Sequence, residues 1–322
     1  MDKNYQKRSL VVGLGFGQLY VDQLKKLGHT VVTVDADVSK GADFTNVDDA
    51  LDFNYDYDTA HICLPNHLHR EIAHHVGFNS RVVFVEKPGF EDAQWWHNMA
   101  QQNGEKKLIM TKNNQYRKIW PQLRAYIRQH PEQEIRINWI NKDRVPNPGS
   151  WFTDKSKSFG GVSRDLMPHL LSMVCVLLPD DYHRLKLTQR TLEQRYTLQD
   201  MAQTDYGSIQ KDGVYDVDDL CVLTYELPDS PIKLKLTADW KSNQEDDIAI
   251  HIGNCHTELG LCPDWCYKDM IAKTIEMDGY YDQWWWDQQM CEDVWIHEQI
   301  TGETISNTGG FGASVYTQLM GR

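Results

Sequence analysis

The chain has 322 residues, enough for two domains of ordinary size, and carries 46 acidic against 33 basic residues for a net charge of −13. That charge argues against a nucleic-acid footprint, which needs a basic stripe, and against an anionic membrane surface, but not against an anionic ligand held by local Lys or Arg. No apolar run approaches the ~18 residues of a spanning helix. No small-residue cleavage pattern follows the charged start, and seven cysteines, an odd number, point to free thiols in a reducing, cytoplasmic setting.

Leu10-Val11-Val12 reads as a strand leading into Gly13-Leu14-Gly15-Phe16-Gly17-Gln18. A strand, a glycine turn and a helix in that order are the context of a dinucleotide fingerprint. The helix is expected over 16–27, with Leu19, Val21, Leu24 and Leu27 apolar and Gly28 as its stop. Gly13 allows the tight turn, Gly15 lets backbone approach a pyrophosphate, and the helix start offers N–H groups to the anion. The usual third glycine falls at Gln18, while Gly17, one place earlier, can supply close helix–strand packing. A second strand over 29–34 ends at Asp35. An acid there accepts from ribose hydroxyls and repels a 2′-phosphate, which favours NAD over NADP. The plainer reading of Asp35 is a solvated turn residue.

A short helix over 46–53, capped by Asn46 or Asp48, precedes a strand over 60–64 that ends in Pro65-Asn66-His67-Leu68-His69. The next helix buries Leu68, Ile72 and Val76, places His69 near its start at a crevice edge, and leaves His74 and His75 solvated. Arg81-Val82-Val83-Phe84-Val85 is a four-residue apolar run of the kind covered on both faces of a parallel sheet, and it stops at Glu86-Lys87-Pro88-Gly89. Ligands bind outside the carboxyl ends of such strands, so Lys87 is expected in a crevice. The alternative is a surface Glu86–Lys87 pair at a loop start. A helix over 91–102 and a strand over 107–111 complete a β-α-β alternation and hence a parallel sheet.

Four features in chain order now resemble the glucose–fructose oxidoreductase/inositol dehydrogenase (Gfo/Idh/MocA) family. They are the glycine turn, Leu64-Pro65-Asn66 with His69, Glu86-Lys87-Pro88, and Gly160-Gly161 followed by Asp165 and His169. The resemblance spans at least 10–180. It implies an α/β Rossmann domain (1–117) with a mostly parallel sheet, and an α+β domain (118–322) with an open, mainly antiparallel sheet that commonly joins subunits into a homo-oligomer. It implies that Gly13, Gly15, Phe16, Gly17, Asp35, Leu64, Pro65, Asn66, His69, Glu86 and Lys87 bind the cofactor. Lys87 would contact the reacting hydroxyl, Asp165 would lie between Lys87 and His169, and His169 would act as acid/base. Arg117 and Trp151 join these three as substrate-binding candidates.

In the second half, Asn114-Gln115-Tyr116-Arg117 resembles the family's crossing between domains, and a helix follows over 118–128 with Pro121 in its first turn. A strand over 133–140 alternates Ile135, Ile137 and Trp139 with polar residues. A polar loop over 141–159 carries Trp151, Lys155 and Lys157, and loops of that length are usually functional. Asp165 and His169 have helical spacing, but Pro168 lies between them, so the helix either kinks there or starts near Met167. Strands over 183–189, 220–227, 232–240 and 248–252, without helices between them, indicate an antiparallel sheet. Cys255, Cys262 and Cys266 with His251 and His256 lack a CxxC pair, and buried thiols are favoured over a metal site. The aromatic run from Tyr280 through Trp284-Trp285-Trp286 is either a carbohydrate platform or helical packing with Gln288, Cys291 and Trp295.

The resulting expectation is an NAD(P)-dependent dehydrogenase acting on a secondary alcohol or ketone of a sugar, cyclitol or related polyol, without nucleic-acid, membrane or metal partners. A sensor without turnover, and an NAD-dependent glycoside-cleaving enzyme with an internal redox cycle, are the alternatives.

Overall fold

The computed structural model describes residues 6–53, 56–102, 107–202, 204–280 and 282–305. Its first 113 residues run β1 (Arg8–Val12), α1 (Gly17–Lys26), β2 (Thr30–Val34), α2 (Val47–Phe53), β3 (Tyr57–Ile62), α3 (His69–Gly77), β4 (Ser80–Val85), α4 (Ala93–Gln102) and β5 (Lys107–Met110). The five strands are all parallel, in the order β2-β1-β3-β4-β5. The chain builds outward from β1 to β2, then returns past β1 to β3. The switch of direction therefore falls at the carboxyl end of β1, where such sheets bind ligands. Leu10, Val11, Val82, Val83, Phe84 and Val85 are all but fully buried, as the unbroken apolar runs require of strands covered on both faces.

The next stretch holds α5 (Trp120–Gln129), β6 (Ile135–Ile140), α6 (Lys155–Ser158), α7 (Val162–Asp165), α8 (Met167–Leu177), β7 (Lys186–Glu193), β8 (Leu220–Glu226), β9 (Lys233–Asp239), β10 (Asp247–Ile252) and β11 (Cys255–Glu258). The sheet order is β11-β10-β6-β9-β8-β7. Only β6 and β9 pair in parallel, so the sheet is mixed and mainly antiparallel. Alternation sorts its faces: Ile135, Ile137, Leu234, Leu236, Leu223 and Tyr225 point to the core, while Arg136, Lys233 and Lys235 are exposed. The mostly buried α8 packs on β6 and β9. β7 starts three residues later than expected because Tyr182–Arg184 form a 3-10 turn. β11 was not expected; it is short and polar and carries no apolar alternation. The stretch expected as an irregular loop over 141–159 contains a 3-10 turn, Trp151–Thr153, and α6.

The chain ends in α9 (Asp264–Gly279) and α10 (Gln283–Thr301). Both pack on the first sheet's helices, α9 on α1 and α10 on α4 and β5. The compact units are therefore Met1–Asn113 with Pro263–Arg322, and Asn114–Cys262. This differs from the expectation that placed all of 118–322 in one domain. The physical reason is burial. α10 hides Trp286, Cys291, Asp293, Val294, Trp295, Ile296, His297 and Ile300, too many faces for a helix lying on a surface. In the aromatic run, Trp286 is buried and Trp284 is 57% exposed, so packing claims part of it; Tyr281 lies outside the described residues. No helix among the described residues is long and apolar enough to cross a membrane.

Candidate active site

At the carboxyl end of β1 the three glycines do three different things. Gly13 has φ +92, donates to Val34 O at 2.8 Å, and would bring a Cβ to 2.5 Å from Cys63 O. It is the turn that only glycine makes easily. At Gly15 a Cβ would meet nothing within 4 Å, so the backbone there faces open space. Gly17 opens α1, and its Cβ would lie 3.0 Å from Val11 Cγ1 and 3.3 Å from Cys63 Cβ. Gly17 is therefore the packing glycine, and the exposed Gln18 at the usual position only bonds Asp22 at 3.1 Å. α1 has no side-chain cap and no acid in its first turn. Its leading N–H groups suit an anion.

Asp35 follows β2 and ties back to this turn. Its Oδ2 accepts from Leu14 N at 2.6 Å and its Oδ1 from Asp37 N at 2.9 Å. A carboxylate has about four acceptor sites, so capacity remains for ribose hydroxyls. The open backbone at Gly15, the uncapped helix and the acid at the second strand end fit a dinucleotide such as NAD. Gly13 to Gly17 would hold its pyrophosphate and Asp35 its ribose.

The neighbouring strand ends supply the rest of this unit's candidates. Leu64 and Pro65 are half-buried, and Asn66 is buried at the start of a 3-10 turn. His69 was expected to line the cofactor channel. Its ring is fully buried, with Nδ1 2.9 Å from Gly89 O and Nε2 2.7 Å from Leu64 O. It lies between those two loops, and the neutral ring, with one N–H, donates to one of the two carbonyls. Burial pushes its pKa down to about 4, against the pull of the two carbonyls. Glu86 is buried and accepts from Tyr20 Oη at 2.5 Å. Burial raises its pKa, and the Tyr20 hydrogen bond opposes that. Phe16 lies against Tyr267 of α9, ring centres 5.7 Å apart. Lys87 is half-buried at the end of β4, where its peptide bond to Pro88 is cis.

The second unit gathers the remaining candidates. Gly161 runs so close to Asp218 O that a side chain there would overlap it. The Asp218 carboxylate accepts from Gly161 N, Ser163 N and Ser163 Oγ at 3.0, 2.8 and 2.9 Å. These bonds set α7, which ends at Asp165, whose Oδ2 accepts from Trp240 Nε1 at 2.9 Å. α8 then starts at Met167, so of the two readings of Pro168 the second holds. Proline in a first turn gives up no helical hydrogen bond.

His169 is buried and stacks on Trp139, ring centres 5.2 Å apart. Its Nδ1 lies 3.2 Å from Asn114 Nδ2. Asn114 cannot turn over freely, because its Oδ1 accepts from Arg117 Nε at 2.9 Å. The amide therefore donates to Nδ1, and neutral His169 carries its hydrogen on Nε2. Arg117 further donates from Nη1 to Leu259 O at 2.7 Å and from Nη2 to Gly260 O at 2.9 Å. Its visible bonds position Asn114 and the turn after β11. Trp151 stacks on Phe152 at 3.9 Å, and Lys157 pairs with Asp154.

Sequence reasoning missed Tyr20, Asn114, Trp139, Asp218 and Trp240. Asn114 stood beside Arg117 in a stretch already singled out; the others had no local signal. Elsewhere on the sheet, Asp247, His251 and His256 bring ligand-type atoms within 4.8 Å of one another, without the cysteines. The two imidazole planes are nearly parallel, with ring centres 4.6 Å apart, so their lone pairs run side by side and do not converge.

No family model matches the chain. It is similar to a candidate UDP-kanosamine synthase oxidoreductase subunit from Amycolatopsis mediterranei, 26% identical over 269 residues, covering 76% of this chain and 71% of that protein. Among solved structures it resembles GenD2 from gentamicin A biosynthesis in complex with NAD, with TM-score 0.67, 17% identity and 94% of each chain covered. It also resembles the WlbA (WbpB) dehydrogenase from Thermus thermophilus in complex with NAD and UDP-GlcNAcA, with TM-score 0.65, 14% identity, and 93% of this chain and 96% of that one covered. These likenesses show the fold, which is that of two-domain dehydrogenases.

Proposed function

We propose that this chain is an NAD-dependent oxidoreductase that interconverts a secondary alcohol and a ketone on a sugar, cyclitol or related polyol. The observation that carries the reading is the glycine turn: open backbone at Gly15, an uncapped α1, and Asp35 bonded into the same turn. The named activities of the Amycolatopsis relative and of the Thermus dehydrogenase support a sugar, and in particular a nucleotide-linked sugar, as the substrate class. Asp35 supports NAD over NADP, because a second negative charge beside its carboxylate would be repelled.

NAD, when bound, supplies the hydride acceptor. The chain's own residues do the rest. Lys87 orients the substrate hydroxyl and stabilises negative charge on that oxygen. His169 is the acid/base toward the same oxygen and takes up a proton at Nε2 only in its other tautomer, with the ring hydrogen on Nδ1, and Asp165 is the third member of the proposed set. Trp240 fixes Asp165, and the Asn114 bond to Nδ1 favours the Nε2–H tautomer of His169 in the resting site. Positioned acid–base help of this kind is worth about 10² to 10⁴ in rate. We further propose a homo-oligomer formed through the outer face of the second sheet, which light scattering tests directly.

The test is a panel of polyols, sugars and nucleotide sugars incubated with protein and NAD, read by NADH absorbance and by product analysis. Net NADH with a ketone product is expected. Product without net NADH would mean an internal redox cycle, and tight binding with neither would mean a sensor.

A further inference from the structure

α10 reaches the loop that follows β4. On it, His297 is fully buried. Its Nδ1 lies 2.6 Å from Asp293 O and so donates to its own helix. That leaves a lone pair on Nε2, which accepts from Phe90 N at 3.1 Å. A single tautomer satisfies both bonds. The ring stacks on Trp96 of α4 at 4.8 Å, and Trp96 in turn packs on Phe90. Gly89 has φ +78, and any side chain there would strike the His297 ring. On the other side, Gly89 O meets His69 Nδ1 at 2.9 Å.

One turn earlier on the same helix, Asp293 Oδ1 pairs with Lys112 Nζ at 2.6 Å and Oδ2 accepts from Met110 N at 3.0 Å. The helix is thus pinned to the carboxyl ends of both β4 and β5. Lys87 lies two residues before Gly89.

We infer that His297 is a positioning residue for Lys87. It holds the backbone of Gly89 and Phe90, and through them the amine, in the working arrangement. α10, some two hundred residues downstream, is therefore part of the catalytic apparatus. The inference rests on the reading of Lys87 as catalytic and goes beyond it, since no sequence motif links the two.

Two substitutions separate loop-holding from packing. In His297→Asn the amide nitrogen reaches where Nδ1 was, so the helix-side bond is kept and the loop bond lost. In His297→Gln the amide oxygen reaches where Nε2 was, so the loop bond is kept. Three measurements are made on the full chain: steady-state kinetics on the substrate found in the screen, NADH affinity by fluorescence, and the pH profile of Lys87 acylation by mass spectrometry. We expect His297→Asn to lower kcat about tenfold, the order of one hydrogen bond, with KM and NADH affinity within about twofold of wild type. The midpoint of Lys87 acylation should move by on the order of half a pH unit. His297→Gln should restore kcat and the acylation profile. Equal losses in both variants, with a lower melting temperature and an unmoved acylation profile, would make His297 a packing residue and overturn the inference. So would a His297→Asn enzyme matching wild type while Lys87→Met is inactive. A fully active Lys87→Met would instead remove the reading of Lys87 beneath it.

Discussion

Gly15→Ala and Gly17→Ala should fail in opposite ways, although they lie two residues apart. At Gly17 a methyl would sit 3.0 Å from Val11 Cγ1 and 3.3 Å from Cys63 Cβ, well inside the ~3.5–4.0 Å at which carbon atoms attract. Val11 is fully buried in the middle of the sheet and cannot retreat. Overpacking of this kind costs about 1–3 kcal/mol, and the better helix propensity of Ala returns up to about 1 kcal/mol. With the full return the net loss is about 0–2 kcal/mol, which should lower the melting temperature by up to roughly 8 °C in a domain of this size. At Gly15 the methyl meets nothing, so stability should hold or rise by about 0.4–1 kcal/mol through the unfolded chain. The same methyl occupies the space a pyrophosphate needs, and NADH affinity should fall tenfold or more, about 1.4 kcal/mol. Thermal melts with and without NADH, together with a fluorescence titration, read both quantities. If Gly15→Ala binds NADH as wild type does, the turn is not a phosphate cradle and the assignment of the first unit falls.

Two further outcomes follow from buried imidazoles. Asn114→Asp places a carboxylate where the amide donates to His169 Nδ1. It should draw the hydrogen to Nδ1, free the lone pair on Nε2 and raise the His169 pKa by about 1–2 units. The acid limb of kcat/KM for alcohol oxidation should then move to higher pH by that amount, and an unmoved limb would sink the tautomer argument. Separately, burial pushes His61 down to about 3 and His69 to about 4. From pH 6.5 down to about 4 the unfolded chain binds these two protons and the folded chain does not, so stability should fall with falling pH. Asp293, pushed up to about 6 by burial, takes a proton in the folded state over part of that window and opposes one of them. Removing one histidine isolates its share. His61→Asn should reduce the pH slope of urea-unfolding free energy by about 1.4 kcal/mol per unit, and an unchanged slope would mean His61 titrates normally.

β1 and β4 were legible in the sequence because they are apolar runs closed by Gly or Pro, whereas β3, with Asp58, Thr59 and His61, starts at Tyr57, three residues before the expected 60–64. Asp35 and Lys87 could be found because they stand at the ends of such strands. The reassignment of the third glycine to Gly17 was open in the sequence and needed the distance to Val11 to decide. α9 was not read as a helix, and α10 could be read as helical but not placed, since a helix buried on most faces has no single apolar stripe to say which sheet it serves. The partners that fix the site side chains, Asn114, Trp139 and Trp240, act across the fold at separations of 30 to 75 residues. No local pattern encodes such pairs. The spacing of His69 placed it at a helix start, while the two carbonyls beside its ring lie in loops that only folding brings together.

The groups that orient the candidate site are, for the most part, neutral. His69 and His297 hold the loop after Lys87, Asn114 holds His169, and Trp240 holds Asp165. Full charges in the surroundings are instead matched at close range. Lys112 pairs with Asp293 at 2.6 Å, and Arg195 bridges Asp219 and Asp239 at 2.6 and 2.5 Å. A buried ion pair adds little net stability, because desolvation consumes most of the attraction. Its use here is geometric: Lys112–Asp293 fixes α10, and Arg195 fixes the segment carrying Asp218, which sets α7. A neutral hydrogen bond orients a side chain without adding a monopole to the field it sits in.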